Sequence, residues 1–148
     1  MKLYLAGQFN TKPQRELDAQ LLREHGIEIT SRWLTETVPH TVTIKDLPDA
    51  YHCETAVADL EDIDRADAVL LFIPTDTELV DTPLRSASRG GRHFEIGYAY
   101  CAGKTIYVIG PKENVFHFLP DGVRRGRFQH FGSLNGFLAY MQATGVID

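Results

Sequence analysis

Glu95 is the one carboxylate in an otherwise apolar run, F-E-I-G-Y-A-Y-C-A at 94–102, which follows the glycines and basic residues of GGRH. Read as a helix, the run is apolar on every face, the pattern of a buried helix. An acid inside it would face a cavity rather than bulk water. Counted from the glycine pair, Glu95 falls in the first turn, where unpaired amides and the helix dipole favour a negative charge. Two readings follow. Glu95 caps the turn, or it is an acid kept charged beside a ligand.

Asp59 is the second candidate acid, in VADLEDIDRAD at 57–67. Helical spacing sets Asp59 on a face with Ala56, Ile63 and Ala66 and points it inward. An inward carboxylate needs a partner or a ligand. Asp62 and Asp64 are read as a solvated acidic face. Arg85, Arg89 and Arg92 gather before the Glu95 helix, either as a solvated loop or as a bidentate clamp for a phosphate or carboxylate.

Other chemistries lack their signatures. The sequence holds neither the P-loop glycine pattern nor G-x-G-x-x-G. HFE at 93–95 matches the H-x-E of zinc deaminases, but the P-C-x-x-C that must accompany it is absent. There is no G-x-S-x-G nucleophile elbow. No metal site and no cofactor is expected. Gly7, in LAGQFN, either lets a ligand approach the backbone or makes a plain tight turn.

These residues need elements to hold them. KLYLAG (2–7), IEITSRW (27–33), DAVLLFIP (67–74), KTIYVIGP (104–111) and RFQHFGS (127–133) read as strands, the third and fourth continuously apolar as central parallel strands are. Helical segments fall at 13–26, with Leu17, Leu21 and Leu22 on one face, and at 53–66, 93–102 and 133–145. A helical turn is expected at 113–119, and long loops at 34–52 and 75–91. Alternation of this kind predicts an α/β fold, a doubly wound parallel five-stranded sheet of the Rossmann or flavodoxin-like kind with helices on both faces. Ligands bind such sheets beyond the carboxyl ends of the strands. Gly7-Gln8-Phe9, both long loops, and Pro111 to Asn114 emerge there.

The chain has 148 residues, 43% hydrophobic and 24% charged, the size and balance of a single domain spanning 1–148. A net charge of −5 opposes binding to a nucleic-acid polymer, which needs a broad basic surface. Cys53 and Cys101 form no disulfide framework and are read as packing residues. MKLYLAGQFN is too short for a signal peptide, and no run reaches the roughly 18 apolar residues of a membrane span. A cytoplasmic protein is expected.

Three blocks in order, KLYLAGQF, DLEDIDRADAVLLFIP and GGRHFEIGYAYCAGKTIYVIG, resemble the nucleoside 2-deoxyribosyltransferases and the related deoxynucleotide N-glycosidases. The blocks cover about half the chain. Their most specific element is E-x-G-x-A-x-x-x-G-K preceded by D-L-x-x-I-x-x-A-D. The resemblance implies a small nucleoside or nucleotide substrate and a homo-oligomer with sites near subunit contacts. It implies that Glu95 is the nucleophile, that Asp59 lies near the nucleobase and sugar, and that Tyr4 on the first strand orients the glutamate. Gly7, Gln8, Phe9, Ser88, Arg89, Gly91, Arg92 and His93 are expected around the substrate. Asn114 corresponds to an asparagine lent to a neighbouring subunit's site. Transferases of the family often carry an acid six residues before the nucleophile; Arg89 stands there, beside Ser88. That departure tilts the expectation toward a 5′-monophosphate.

The implied chemistry is cleavage of an N-glycosidic bond through an oxocarbenium-like state, with Glu95 below the anomeric carbon as in retaining glycosidases. Asp59 would protonate the departing base. The helix N-terminus is expected to keep Glu95 ionised. A second base or water would then release the sugar. A non-catalytic nucleotide-binding or sensor domain on the same fold is the alternative.

Overall fold

The computed structural model describes residues 1–36, 46–74 and 90–148. Its centre is a five-stranded, wholly parallel sheet: β1 (Lys2–Ala6), β2 (Glu28–Ile29), β3 (Ala68–Phe72), β4 (Thr105–Ile109) and β5 (Arg127–Phe131), in the order β2-β1-β3-β4-β5. Among the described residues four helices cover it: α1 (Lys12–Glu24), α2 (Asp49–Arg65), α3 (Gly91–Cys101) and α4 (Leu134–Ala143). The expected doubly wound α/β architecture is the one found.

Parallel strands require crossovers, and these are right-handed. The strand order reverses between β1 and β3, so α2 and α3 share a face and α1 and α4 take the other. Helices α2 and α3 pack on each other and on β1, and α4 packs on β4 and β5. Alternation along β1 then fixes directions. Tyr4, paired in register with Val69, points to the α2/α3 face, while Leu3 and Leu5 point to the α1 face; all are fully buried. On the α4 face, Phe137 packs tilted against Tyr107 and edge-to-face against Phe131, with ring centroids 5.1 and 5.5 Å away.

Local signals set the ends of the elements. Proline opens α1, where a missing N–H costs nothing. The Ser133 hydroxyl caps α4 by accepting from the Gly136 N–H at 3.1 Å. Gly103 (φ +83) ends α3 in the left-handed conformation, and the Lys104 N–H returns to the Ala99 carbonyl at 3.0 Å. Gly126 lets the start of β5 press against α3: a Cβ there would lie 2.5 Å from the Tyr100 carbonyl oxygen.

Several expectations are corrected. Helix α2 starts at Asp49 rather than 53, because Pro48 serves as its N-cap. Strand β2 is only two residues long; a 3-10 turn at Arg32–Thr35 follows where the strand was expected to continue. Residues 34–52 are therefore not one loop. Leu17 is 61% exposed and does not join Leu22 in the core. Cys53 and Cys101 are exposed, not packing residues. Helix α3 is not buried on all sides, since Phe94 is 67% exposed.

Asp62 is the largest correction. It is fully buried, not solvated. Its carboxylate accepts from the Arg32 backbone N–H and Nε, both at 2.7 Å, and from Arg65. The Thr30 hydroxyl donates to the Asp62 carbonyl at 2.9 Å. Asp62 thus pins α2 to the segment leaving β2.

Candidate active site

Three elements bring Tyr4, Asp59 and Glu95 together. Tyr4 stands at the middle of β1, Asp59 nearly three turns into α2, and Glu95 in the first half of α3. The Tyr4 hydroxyl lies between the two carboxyl groups, within hydrogen-bonding reach of each. It makes no hydrogen bond of full geometry, although its oxygen is wholly buried. Catalytic hydrogen bonds are often long until a ligand is bound and tighten around it.

The electrostatics of the trio follow from burial. Loss of solvent and, after it, the Asp59 charge raise Glu95 to about 8, partly opposed by the Tyr4 hydroxyl and Arg92. Burial also raises Asp59, to about 7, aided by Glu36 and Asp62 and opposed by Tyr4 and Arg32. Tyr4 is pushed well above the ordinary phenol range by burial and then by the two acids. These shifts overturn the expectation that Glu95 is held ionised. Helix α3 starts at Gly91, so Glu95 is its fifth residue and no acid lies in the first turn. The dipole acts within the first turn; desolvation wins. The same placement rules out the capping role.

Glu36 and Tyr51 also belong to this neighbourhood, and no sequence pattern marks them. The Tyr51 hydroxyl donates to Glu36, and the Lys12 ammonium donates to the Glu36 carbonyl at 2.6 Å. Glu36 follows an irregular turn, where no periodicity could have flagged it.

Arg92 is one turn before Glu95 and faces the same way. Its side chain is only 4% exposed and pairs with Glu113, while Nε and Nη1 have no hydrogen-bond partner. Gly91, the first residue of α3, is exposed. Gly7, Gln8 and Phe9 follow β1, with Gln8 capping a short 3-10 turn and Phe9 against Trp33 at 6.3 Å between ring centroids. Ser88, Arg89 and Arg85 lie outside the described residues, as do 37–45 and 75–89 of the two long loops.

His93 and Asn114 do not join the trio. Positions two apart on a helix point nearly opposite ways, so His93 leaves α3 on the far side from Glu95. There it lines a cleft of about 450 Å³ with Asn114, Tyr100, Phe116, His117 and Phe128. His93 Nε2 is 3.9 Å from Glu113. The Asn114 side chain accepts from the Phe116 N–H at 2.9 Å and caps the 3-10 turn Val115–Phe118. The divergence of His93 from Glu95 also removes the pairing that the H-x-E pattern would need.

Such a site offers two carboxyl groups, both raised by loss of solvent, beside one phenol. It can supply a nucleophile and a general acid from the same pair.

No family model matches the sequence, and no curated protein does. The fold is shared with a solved structure, the Clostridium botulinum CMP N-glycosidase BcmB. It aligns with a TM-score of 0.58 and 15% identity over 97% of this chain and 99% of the other.

Proposed function

We propose that this chain is a member of the nucleoside 2-deoxyribosyltransferase family that cleaves the N-glycosidic bond of a 2′-deoxyribonucleoside or its 5′-monophosphate. The observation that carries the reading is the meeting of Tyr4, Asp59 and Glu95, from three separate elements, in one partly buried cluster. The sequence blocks described above and the fold shared with a CMP N-glycosidase support it.

In this reading the Glu95 carboxylate attacks the anomeric carbon as the bond to the base breaks, and a glycosyl ester forms. Asp59 donates a proton to the departing nitrogen. Arg92, charged and deeply buried beside Glu95, stabilises the ionised nucleophile. A second base or a water molecule resolves the ester. Ser88 and Arg89, from their place in the sequence, favour a 5′-phosphorylated substrate.

The protein acts as a homo-oligomer. Phe94, Val115, Phe116 and Phe118, between 64% and 75% exposed, flank the His93–Asn114 cleft. Large apolar side chains clustered on a monomer surface mark an association face. A second copy seated there would cover the outer side of α3 and bring its own Asn114 to the contact. Among the described residues no helix is long and apolar enough to cross a membrane.

The test is incubation with deoxynucleosides and deoxynucleoside 5′-monophosphates, with and without a second free base. Exchange identifies a transferase, and release of base without exchange a hydrolase. No release from any member of either panel, with wild type and Glu95→Ala indistinguishable, rejects the proposal.

A further inference from the structure

Glu36 reaches the site because β2 stops early. Beyond Leu3 and Ile29 the pairing of β1 with β2 ends. A longer β2 would pair next with Leu5. Instead the Ser31 hydroxyl accepts from the Leu5 N–H at 2.6 Å, and the Trp33 indole donates to the Leu5 carbonyl at 2.8 Å. The Arg32 N–H, released from the ladder, goes to the Asp62 carboxylate at 2.7 Å. Side chains thus stand in for strand pairing, and the backbone turns away over the carboxyl end of β1. The buried Lys12 ammonium then holds the Glu36 carbonyl, and the Tyr51 hydroxyl holds its carboxylate.

Helix α2 presents a matching surface. Its start at Asp49 brings Tyr51 into a row with Thr55, Asp59 and Ile63, each four residues from the next. Ile63 is fully buried in the core. Toward the carboxyl end of the sheet the row becomes polar and half-buried, while Glu54, Ala56 and Val57 beside it are exposed. A helix row that leaves the core carrying hydroxyl and carboxyl groups suits the wall of a ligand cleft. Glu36 stands across from it, near enough for its charge to act on Asp59. The Tyr4 oxygen, wholly buried and without a hydrogen-bond partner, marks the inner end.

We propose that Glu36 and the Tyr51–Thr55–Asp59 row hold the nucleobase, and that Glu36 selects a base bearing an exocyclic amino group. This inference rests on the glycosidic reading above and names its substrate class. An ionised carboxylate only accepts hydrogen bonds. It bonds an amino N–H strongly and repels the lone pairs of a carbonyl in the same place. Cytosine and adenine present an amino group where uracil and hypoxanthine present a carbonyl. The Tyr51 hydroxyl fixes the direction of the Glu36 carboxylate, so the choice does not depend on a freely turning side chain.

The test pairs deoxycytidine with deoxyuridine and deoxyadenosine with deoxyinosine, each also as its 5′-monophosphate. In every pair that is turned over, wild type should favour the amino member by about ten- to a hundredfold in kcat/KM. Glu36→Gln, whose amide can turn an N–H toward a carbonyl, should bring the ratio close to unity. Tyr51→Phe should lower it part of the way. Thermal melting checks both folds. A merely structural role for Glu36 would depress both members alike and leave the ratio unchanged. Calorimetry on Glu95→Gln reads the same preference without turnover, and the amino member should bind about tenfold or more tightly. Preference for the carbonyl member, or a ratio unmoved by Glu36→Gln, overturns the base subsite even where base release upholds the glycosidic reading. Amino-selective binding in a protein that releases no base would reject the glycosidic reading and keep the subsite.

Discussion

Asp59 on α2 stands close enough to Glu95 on α3 that its charge, after burial, is the main force holding a proton on Glu95. Neither helix contributes the effect alone. Burial comes from packing both helices over β1, and the coupling is the Asp59 charge acting on Glu95, which the Tyr4 phenol partly offsets.

Rate should depend on pH as a narrow bell. Glu95 must lose its proton, which happens as pH rises through about 8, and Asp59 must keep its own, which it loses above about 7. The ionisations oppose one another, so the optimum of kcat/KM should lie between these values and fall on both sides. A profile still rising well above them would reject these assignments.

Stability should fall as pH rises. Both acids bind protons more tightly when folded than when unfolded. Their favourable contribution is complete below the ordinary carboxylate range and is lost as pH climbs through about 7 for Asp59 and about 8 for Glu95. Glu95→Gln removes the larger part. It should flatten the slope and stabilise the protein at alkaline pH by about 2–4 kcal/mol, as measured by urea unfolding across pH.

Removal of either acid should separate binding from turnover. Glu95→Gln should cost about 10³-fold or more in kcat, and Asp59→Asn about 10²–10⁴-fold. Both should keep substrate affinity, measured by calorimetry. Undiminished kcat in Glu95→Gln would remove the nucleophile.

Asp62→Ala should destabilise the fold by about 2–3 kcal/mol, since it deletes charge-assisted hydrogen bonds to Arg32 and Arg65. Loss of the surface pair Arg32–Glu61, with both side chains largely exposed, should cost under about 1 kcal/mol. Equal effects in thermal melts would contradict the buried placement of Asp62.

Phe116→Asp should shift the protein toward monomer in sedimentation equilibrium while leaving its circular dichroism unchanged. Phe116 is 65% exposed and supports no core packing within its own chain. An unchanged mass would place the subunit contact elsewhere.

Much of the fold was readable from pattern. Five apolar runs separated by helical periods specify a parallel sheet, because parallel strands need crossovers and two covered faces. Tyr4, Asp59 and Glu95 were each identifiable through resemblance to a family, and Asp59 also through its helical face. The boundaries were less legible. Pro48 looked like part of a loop, yet a proline at a helix start is harmless. Asp62 lies three residues after Asp59 and so shares its side of α2. Asp62 was nonetheless read as solvated, because nothing in the local pattern says that Arg32, 30 residues earlier, will arrive to neutralise it.

The sequence by itself determined which residues could react and which elements carry them, since both follow from local composition and spacing. Tertiary structure alone decided their charge. Proton affinity depends on how much water packing removes and on which groups from distant segments (Tyr4, Glu36, Arg92) come within reach. Those are distances through space, and the order of residues along the chain does not contain them.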